Sequence, residues 1–439
     1  VSNPGDVDMF RFDAKKGESI TFEIFAEREK STLDSRLEIR DSQGKPVERL
    51  VLQATRSSWL TFRGKDADTS VDFRIQHWPE MDLNEYVYCN GEVVKLWLYP
   101  RGPDSGFLVY PGQGSRQSYF DTTAISHAMG EPVYTVVPLP PGSQPPANGL
   151  PVFHINYEND DDASRQAKHD SVLQFIAPAD GTYHVRLTDA RGFGSETATY
   201  RLVCHHSMPD FNVVVSAGMG PKVSPGSGRE FQIKAIRKDG FDGPIRVDLD
   251  DLPPGFNATT PLFIEQGQNF ALGAIYADAD ITKPTPEVAA RTKLRASAVI
   301  NGSPREHITS GLGAIQLGDK PKLTAAVVSP EGRISSTREP IELVIHPGET
   351  IQAKLRAQRL NFKERIEFGN EDSGRNLPHG VYVDNIGLNG LLIPEDTTER
   401  DFFLTAAKCA QPGRRQVFFR AKGDNGQTTP PIWLNVVAK

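Results

Sequence analysis

In the segment DMFRFDAKKGESITFEIFAE, residues 8–27, apolar and polar side chains alternate on both sides of a Lys15-Lys16-Gly17 turn. A period of two sends every second side chain to one face of a strand, so Ile20, Phe22 and Ile24 line one buried side of a β-hairpin. The same alternation returns in SRLEIRDSQGKPV, VLQFIAPADGTYHVRL and many later segments. With 33 prolines and 38 glycines, the chain suits short strands joined by turns better than long helices. The pattern predicts an all-β protein of tandem β-sandwiches. Its 439 residues exceed one ordinary domain and suit three or four.

Character changes along the chain mark the domains. The first 47 residues read as the opening half of a sandwich. Residues 48–157 stay strand-rich but hold three of the four tryptophans, Trp59, Trp78 and Trp97, and the Pro-rich stretch VVPLPPGSQPPANGLPVF. An acidic run, YENDDDASRQAKHDS, leads back into strand, turn and strand, closing at TYRLVC. HHSMPDF reads as a short linker. Beyond it, residues 223–256 and 345–381 repeat each other: Pro-Gly 225–226 matches 347–348, Phe241 matches Phe362 and Ile245 matches Ile366. A repeat of this length, all strand and turn, has the size of an immunoglobulin-like sandwich. Phe241, Phe256, Phe362 and Phe368 are expected in the two cores. The Cys…Trp…Cys arrangement of antibody domains is absent.

The motifs GDVDMFRFDAKKGESITFEI, LDSRLEIRDSQGKPV, NDDD, HDSVLQFIAPADGTYHVRL and TYRLVC, in that order, resemble the bacterial pre-peptidase C-terminal (PPC) domain. The resemblance covers roughly residues 5–47 and 158–204. It implies one jelly-roll-like sandwich, 1–47 plus 158–206, interrupted by a β-rich aromatic insertion, 48–157. Immunoglobulin-like domains follow at 210–319 and 322–439. A long insertion at a surface turn costs little extra closure entropy. The whole arrangement resembles large exported proteins of planctomycete-type bacteria, which implies an extracellular, periplasmic or cell-envelope location. The chain starts with Val1 within a few residues of strand-like text, and is expected to be a mature protein or a piece of a longer parent.

The acidic run is the first candidate site. Asp160, Asp161 and Asp162, with Asp34 and Asp170, offer the oxygen ligands that Ca²⁺ takes. Collagen-binding modules resembling this family bind Ca²⁺, which makes that ion the one cofactor the resemblance implies. Arg165 and Ser171 stand where an EF-hand would need Gly and Glu, and a solvated turn with Asp caps needs no metal. The second candidate is aromatic. Trp59, Trp78, Trp97, Tyr99, Tyr110 and Tyr119 could stack on sugar rings or anchor a protein interface, or fill the insertion's own core.

Motifs for catalysis are missing: there is no GxSxG, HExxH, P-loop or GxGxxG strand–helix unit. The ten histidines are scattered, with only His205 and His206 adjacent, and neighbours on a strand point to opposite faces. The three cysteines, Cys89, Cys204 and Cys409, permit one disulfide at most. A net charge of −7 argues against nucleic acid as partner, and no apolar run approaches the ~20 residues of a membrane span. These features predict a non-catalytic binding or scaffold region of an exported bacterial protein, recognising protein or glycan at the cell surface. The alternative is an accessory segment of a secreted hydrolase or peptidase, with other domains of a longer parent chain as its partners.

Overall fold

The computed structural model describes residues 1–61, 69–101, 105–370, 373–387 and 389–438. The chain is all-β. It divides into two compact units, Val1–Pro209 and Asp210–Lys439.

The strands of the first unit are β1 (Asp8–Ala14), β2 (Ser19–Phe25), β3 (Ser35–Asp41), β4 (Glu48–Trp59), β5 (Asp72–Phe73), β6 (Tyr86–Cys89) and β7 (Glu92–Leu98). There follow β8 (Phe107–Val109), β9 (Pro132–Leu139), β10 (Val152–Asn156), β11 (Glu158–Asn159), β12 (Val172–Ile176), β13 (Gly181–Asp189) and β14 (Arg201–His206). Two sheets, ordered β1-β13-β3-β11 and β12-β2-β14, form a sandwich whose strands come from residues 8–41 and 158–206. Within it, β13 pairs antiparallel with both β1 and β3, Phe10 opposite Val185 and Ile39 opposite the same residue. Ile20, Phe22 and Ile24 of β2 are buried against Leu37, Ile39, Phe175 and Val185, as the period-two pattern requires. The histidine pair ends β14, His205 opposite Thr21 and His206 opposite Ile20, so the linker is shorter than HHSMPDF suggests.

The intervening residues build one seven-stranded sheet, β10-β4-β9-β6-β7-β8-β5. Its core gathers Leu52, Ala54, Val93 and Val136, flanked by Tyr86, Tyr88, Tyr119, Tyr134 and Phe153. Tyr88 stacks on Phe153 with ring centroids 3.9 Å apart. Arg49 is ion-paired with Asp121, Thr123 hydrogen-bonds Asp160, and Ser118 N donates to Ala163 O at 3.0 Å. The last two contacts tie the insertion to the acidic run of the sandwich.

In the second unit the internal repeat becomes two sandwiches. Strands Asp210–Ala217, Gly228–Lys238, Phe270–Ala277 and Phe256–Ala258 lie side by side in that order. Their counterparts Leu323–Val328, Thr350–Arg359, Glu399–Ala406 and Val381–Asp384 repeat it. Ile245 and Ile366 are fully buried at equivalent places. Phe241, Phe256 and Phe368 are buried core residues and Phe362 packs on its core half-buried. The two sandwiches also share a joint. Gly228 pairs with Thr428 across it, and a side chain on Gly228 would collide with Thr428 and Tyr276. Ala274, Tyr276 and Phe418 bury one another there. Arg375 Nε lies 2.7 Å from Glu230 Oε2, and Arg415 Nη2 lies 2.6 Å from Glu265 Oε1.

Candidate functional site

The acidic run turns its carboxylates toward the protein. Asp170, almost fully buried, accepts from the backbone N–H groups of Ala26 (3.0 Å), Glu27 (2.7 Å) and Arg28 (3.2 Å), and from Arg28 Nε at 2.6 Å. It caps the turn that follows β2. Asp162 caps its own loop, accepting from Ser164 N at 3.0 Å and Ala167 N at 2.6 Å. Asp161 holds His169 Nδ1 at 3.0 Å and Arg165 Nη1 at 3.4 Å. Burial pushes the Asp161 carboxyl up, while its hydrogen bond raises His169. Asp160 is bonded to Thr123 and Asp34 is paired with Arg191 Nε at 3.1 Å. Among the described residues, these five acids do not form a group with three ligand atoms within metal reach of one another. Asp162 and Asp170 accept from backbone N–H groups, which is the geometry of Asp-capped turns.

The six aromatic candidates separate by exposure. Trp59 and Trp78 are 44% and 39% exposed. Trp59 meets the edge of His77 at 5.5 Å, and Trp78, the next residue after it, lies 6.5 Å from Tyr99. Tyr99 is half-buried, and the other three, Trp97, Tyr110 and Tyr119, belong to the insertion's packing. Trp97 closes over Gly112, where no side chain fits, and Tyr110 is buried 6.4 Å from Tyr119. Lys95 Nζ sits 5.1 Å from the Tyr110 ring, 5.3 Å from Tyr86 and 5.9 Å from Tyr119, satisfying its charge on three aromatic faces.

A third constellation was missed from sequence. Asn90 and Gly91, both at positive φ, form a two-residue hairpin between β6 and β7, which sets Cys89 directly opposite Glu92. Strand β9 lies on the other side of β6, Cys89 opposite Val133, so the segment entering β9 brings His127 and Glu131 alongside. Cys89 Sγ is 3.4 Å from His127 Nδ1 and 3.7 Å from Glu131 Oε2, and His127 Nδ1 is 2.9 Å from the same oxygen. These three are the described residues that could hold a metal ion.

Behind them sits Glu92, fully buried with Arg116. Arg116 Nε and Nη2 grip its two oxygens at 2.7 and 3.0 Å, Ile125 N donates at 3.0 Å and His127 Nε2 lies at 2.9 Å. Arg116 also donates to the carbonyls of Ile125 (2.6 Å) and Ser70 (2.9 Å). Burial pushes Glu92 up, but the bonds from His127 and Arg116 outweigh it and hold the carboxyl below its ordinary range. The Cys89 thiol goes the other way, raised by burial and by Glu131. The sequence signals were slight: a Cys-Asn-Gly-Glu turn and a His-x-x-x-Glu spacing 38 residues apart in the chain.

No protein-family model matches the chain, and no curated protein matches it in sequence. Three solved structures illustrate what the fold is similar to. A protein of unknown function from Porphyromonas gingivalis W83 aligns at TM-score 0.17 and 10% identity, over 52% of this chain and 99% of that one. The D00–D0 domain of Intimin aligns at TM-score 0.17 and 10% identity, over 51% and 99%. Domains 4–9 of the surface layer protein SbsC align at TM-score 0.20 and 11% identity, over 82% and 48%. Among the described residues, no helix is long and apolar enough to cross a membrane.

Proposed function

We propose that this protein is a non-catalytic binding and scaffold region of an exported bacterial protein, located outside the cytoplasmic membrane or in the cell envelope. In this reading the first sandwich is of the PPC type, and the seven-stranded insertion it carries is the recognition element. The immunoglobulin-like pair acts as a support. The observation that carries the proposal is the pair Trp59 and Trp78, which flank His77 and stay open to solvent while the neighbouring aromatics pack inward. Large exposed rings offer an apolar face with a polar rim, suited to stacking on a sugar or anchoring a protein surface. Asp162 and Asp170 serve as caps, and Glu92 is buried against His127 and Arg116, which supports a structural use of these groups.

Binding to glycan arrays and to surface extracts tests this directly. Trp59→Ala and Trp78→Ala should each remove binding while shifting stability by no more than about 0.5 kcal/mol, as usual for exposed positions. Hydrolytic turnover by the purified chain, or retention of the bound ligand by both variants, overturns the reading.

A further inference from the structure

We infer that Cys89, His127 and Glu131 form a binding site for a zinc-type transition-metal ion, with Glu92 orienting the histidine.

Three lines of geometry lead there. The first is shape. The atoms Sγ, Nδ1 and Oε2 stand 3.4, 3.7 and 2.9 Å apart, so a point equidistant from them lies about 2 Å from each. That is the range of Zn–N, Zn–O and Zn–S bonds, about 2.0–2.3 Å, with the ion slightly out of their plane and water in the fourth tetrahedral position.

The second is the tautomer. Both oxygens of Glu92 are held by donors, two from Arg116, one from Ile125 N and one from Ser118 Oγ at 3.2 Å. An ionised carboxylate only accepts, so the His127 Nε2 at 2.9 Å carries a proton and donates it. Nδ1 is then left facing the Glu131 carboxylate and the Cys89 sulfur. A carboxylate oxygen 2.9 Å from a ring nitrogen requires something positive between them. That is either a second proton on the ring or a metal ion. A histidine whose far nitrogen donates to a buried carboxylate is the arrangement that fixes and strengthens metal-ligating imidazoles.

The third is charge. With a divalent ion bound by a thiolate Cys89, a neutral His127 and the Glu131 carboxylate, the cluster with Glu92 and Arg116 sums to zero. Metal loading therefore places no net charge in the buried site. A thiolate, imidazole and carboxylate set selects zinc-like ions over Ca²⁺ and Mg²⁺, which take oxygen alone. The ion would clip the β6–β7 hairpin to the segment entering β9. This proposal stands apart from the binding role of Trp59 and Trp78.

The test is metal analysis and Co²⁺ spectroscopy on the whole chain, stripped with chelator and reloaded. About one Zn²⁺ per chain should be retained, and Co²⁺ should give a thiolate-to-metal absorption band in the near ultraviolet. Cys204→Ser, at an exposed cysteine far along the chain, should keep the band, and Cys89→Ser should lose it. Glu92→Gln should weaken Zn²⁺ binding roughly 10–100-fold. Should Cys89→Ser not fold, the wild-type Co²⁺ spectrum decides. Zinc near zero per chain, a wild type without the Co²⁺ band, or a band that survives Cys89→Ser overturns the site.

Discussion

Arg116 and Glu92 face each other with no solvent access to either side chain, joined by two hydrogen bonds of 2.7 and 3.0 Å. The guanidinium fork matches the carboxylate, and Arg116 also donates to the backbone carbonyls of Ser70 and Ile125. Breaking one side leaves a buried, uncompensated ion. Arg116→Met is therefore expected to cost about 3–5 kcal/mol. Urea unfolding followed by tryptophan fluorescence measures it, since three of the four tryptophans lie in this unit. The double variant Arg116→Met with Glu92→Gln should recover part of the loss. A loss below about 1 kcal/mol for the single variant would mean that the pair is not buried as described.

The joint of the second unit predicts an alkaline dependence. Burial drives the Tyr276 hydroxyl well above its ordinary value of about 10, because the phenolate cannot be solvated there. The folded protein keeps a proton that the unfolded chain releases. Stability is thus whole below about pH 10 and falls above it, by up to about 1.4 kcal/mol per pH unit, until the folded value is reached. Urea midpoints at pH 9 to 11 should fall more steeply for the wild type than for Tyr276→Phe. Parallel curves would contradict the assignment.

Glu230 couples the two immunoglobulin-like sandwiches through Arg375 and Arg420. Glu230→Lys sets like charges against each other at a joint where Arg375 is almost fully buried. It should weaken the coupling by about 3–5 kcal/mol, and calorimetry should resolve two melting steps in place of one. A single undivided transition in the variant would count against a stabilising joint.

Asp170 closes the turn after β2 with four charge-assisted bonds. Asp170→Ala leaves three backbone N–H groups short of an acceptor, so a loss of about 2–4 kcal/mol is expected. Millimolar Ca²⁺ should leave the melting temperature of the wild type unchanged, because the loop acids already have protein donors. A rise on adding Ca²⁺ that EDTA reverses would restore the ion to this loop.

Much of the architecture was open to reading from the chain alone. Strand alternation needs only neighbours two residues apart, so Ile20, Phe22 and Ile24 declared a buried face and the all-β class without any partner in view. The repeat of Ile245 as Ile366 reflects the same local demand, one buried strand position used twice. Acidity in 157–171 was visible as well, but its meaning was not. A carboxylate that caps a turn and one that binds Ca²⁺ are the same letter, and the difference lies in which donors reach it.

Burial of aromatics divided for a similar reason. Composition could not tell Trp59 from Trp97, since exposure depends on what folds over the ring; for Trp97 that is Gly112. The Cys89, His127 and Glu131 meeting was decided by tertiary structure alone. Cys89 lies 38 residues before His127, and they touch because β6 hydrogen-bonds to both β7 and β9. Strand order and register are set by long-range pairing, whereas period and turn chemistry are set locally. The chain itself therefore determined the all-β class, and only the packing of its sheets decided which side chains meet.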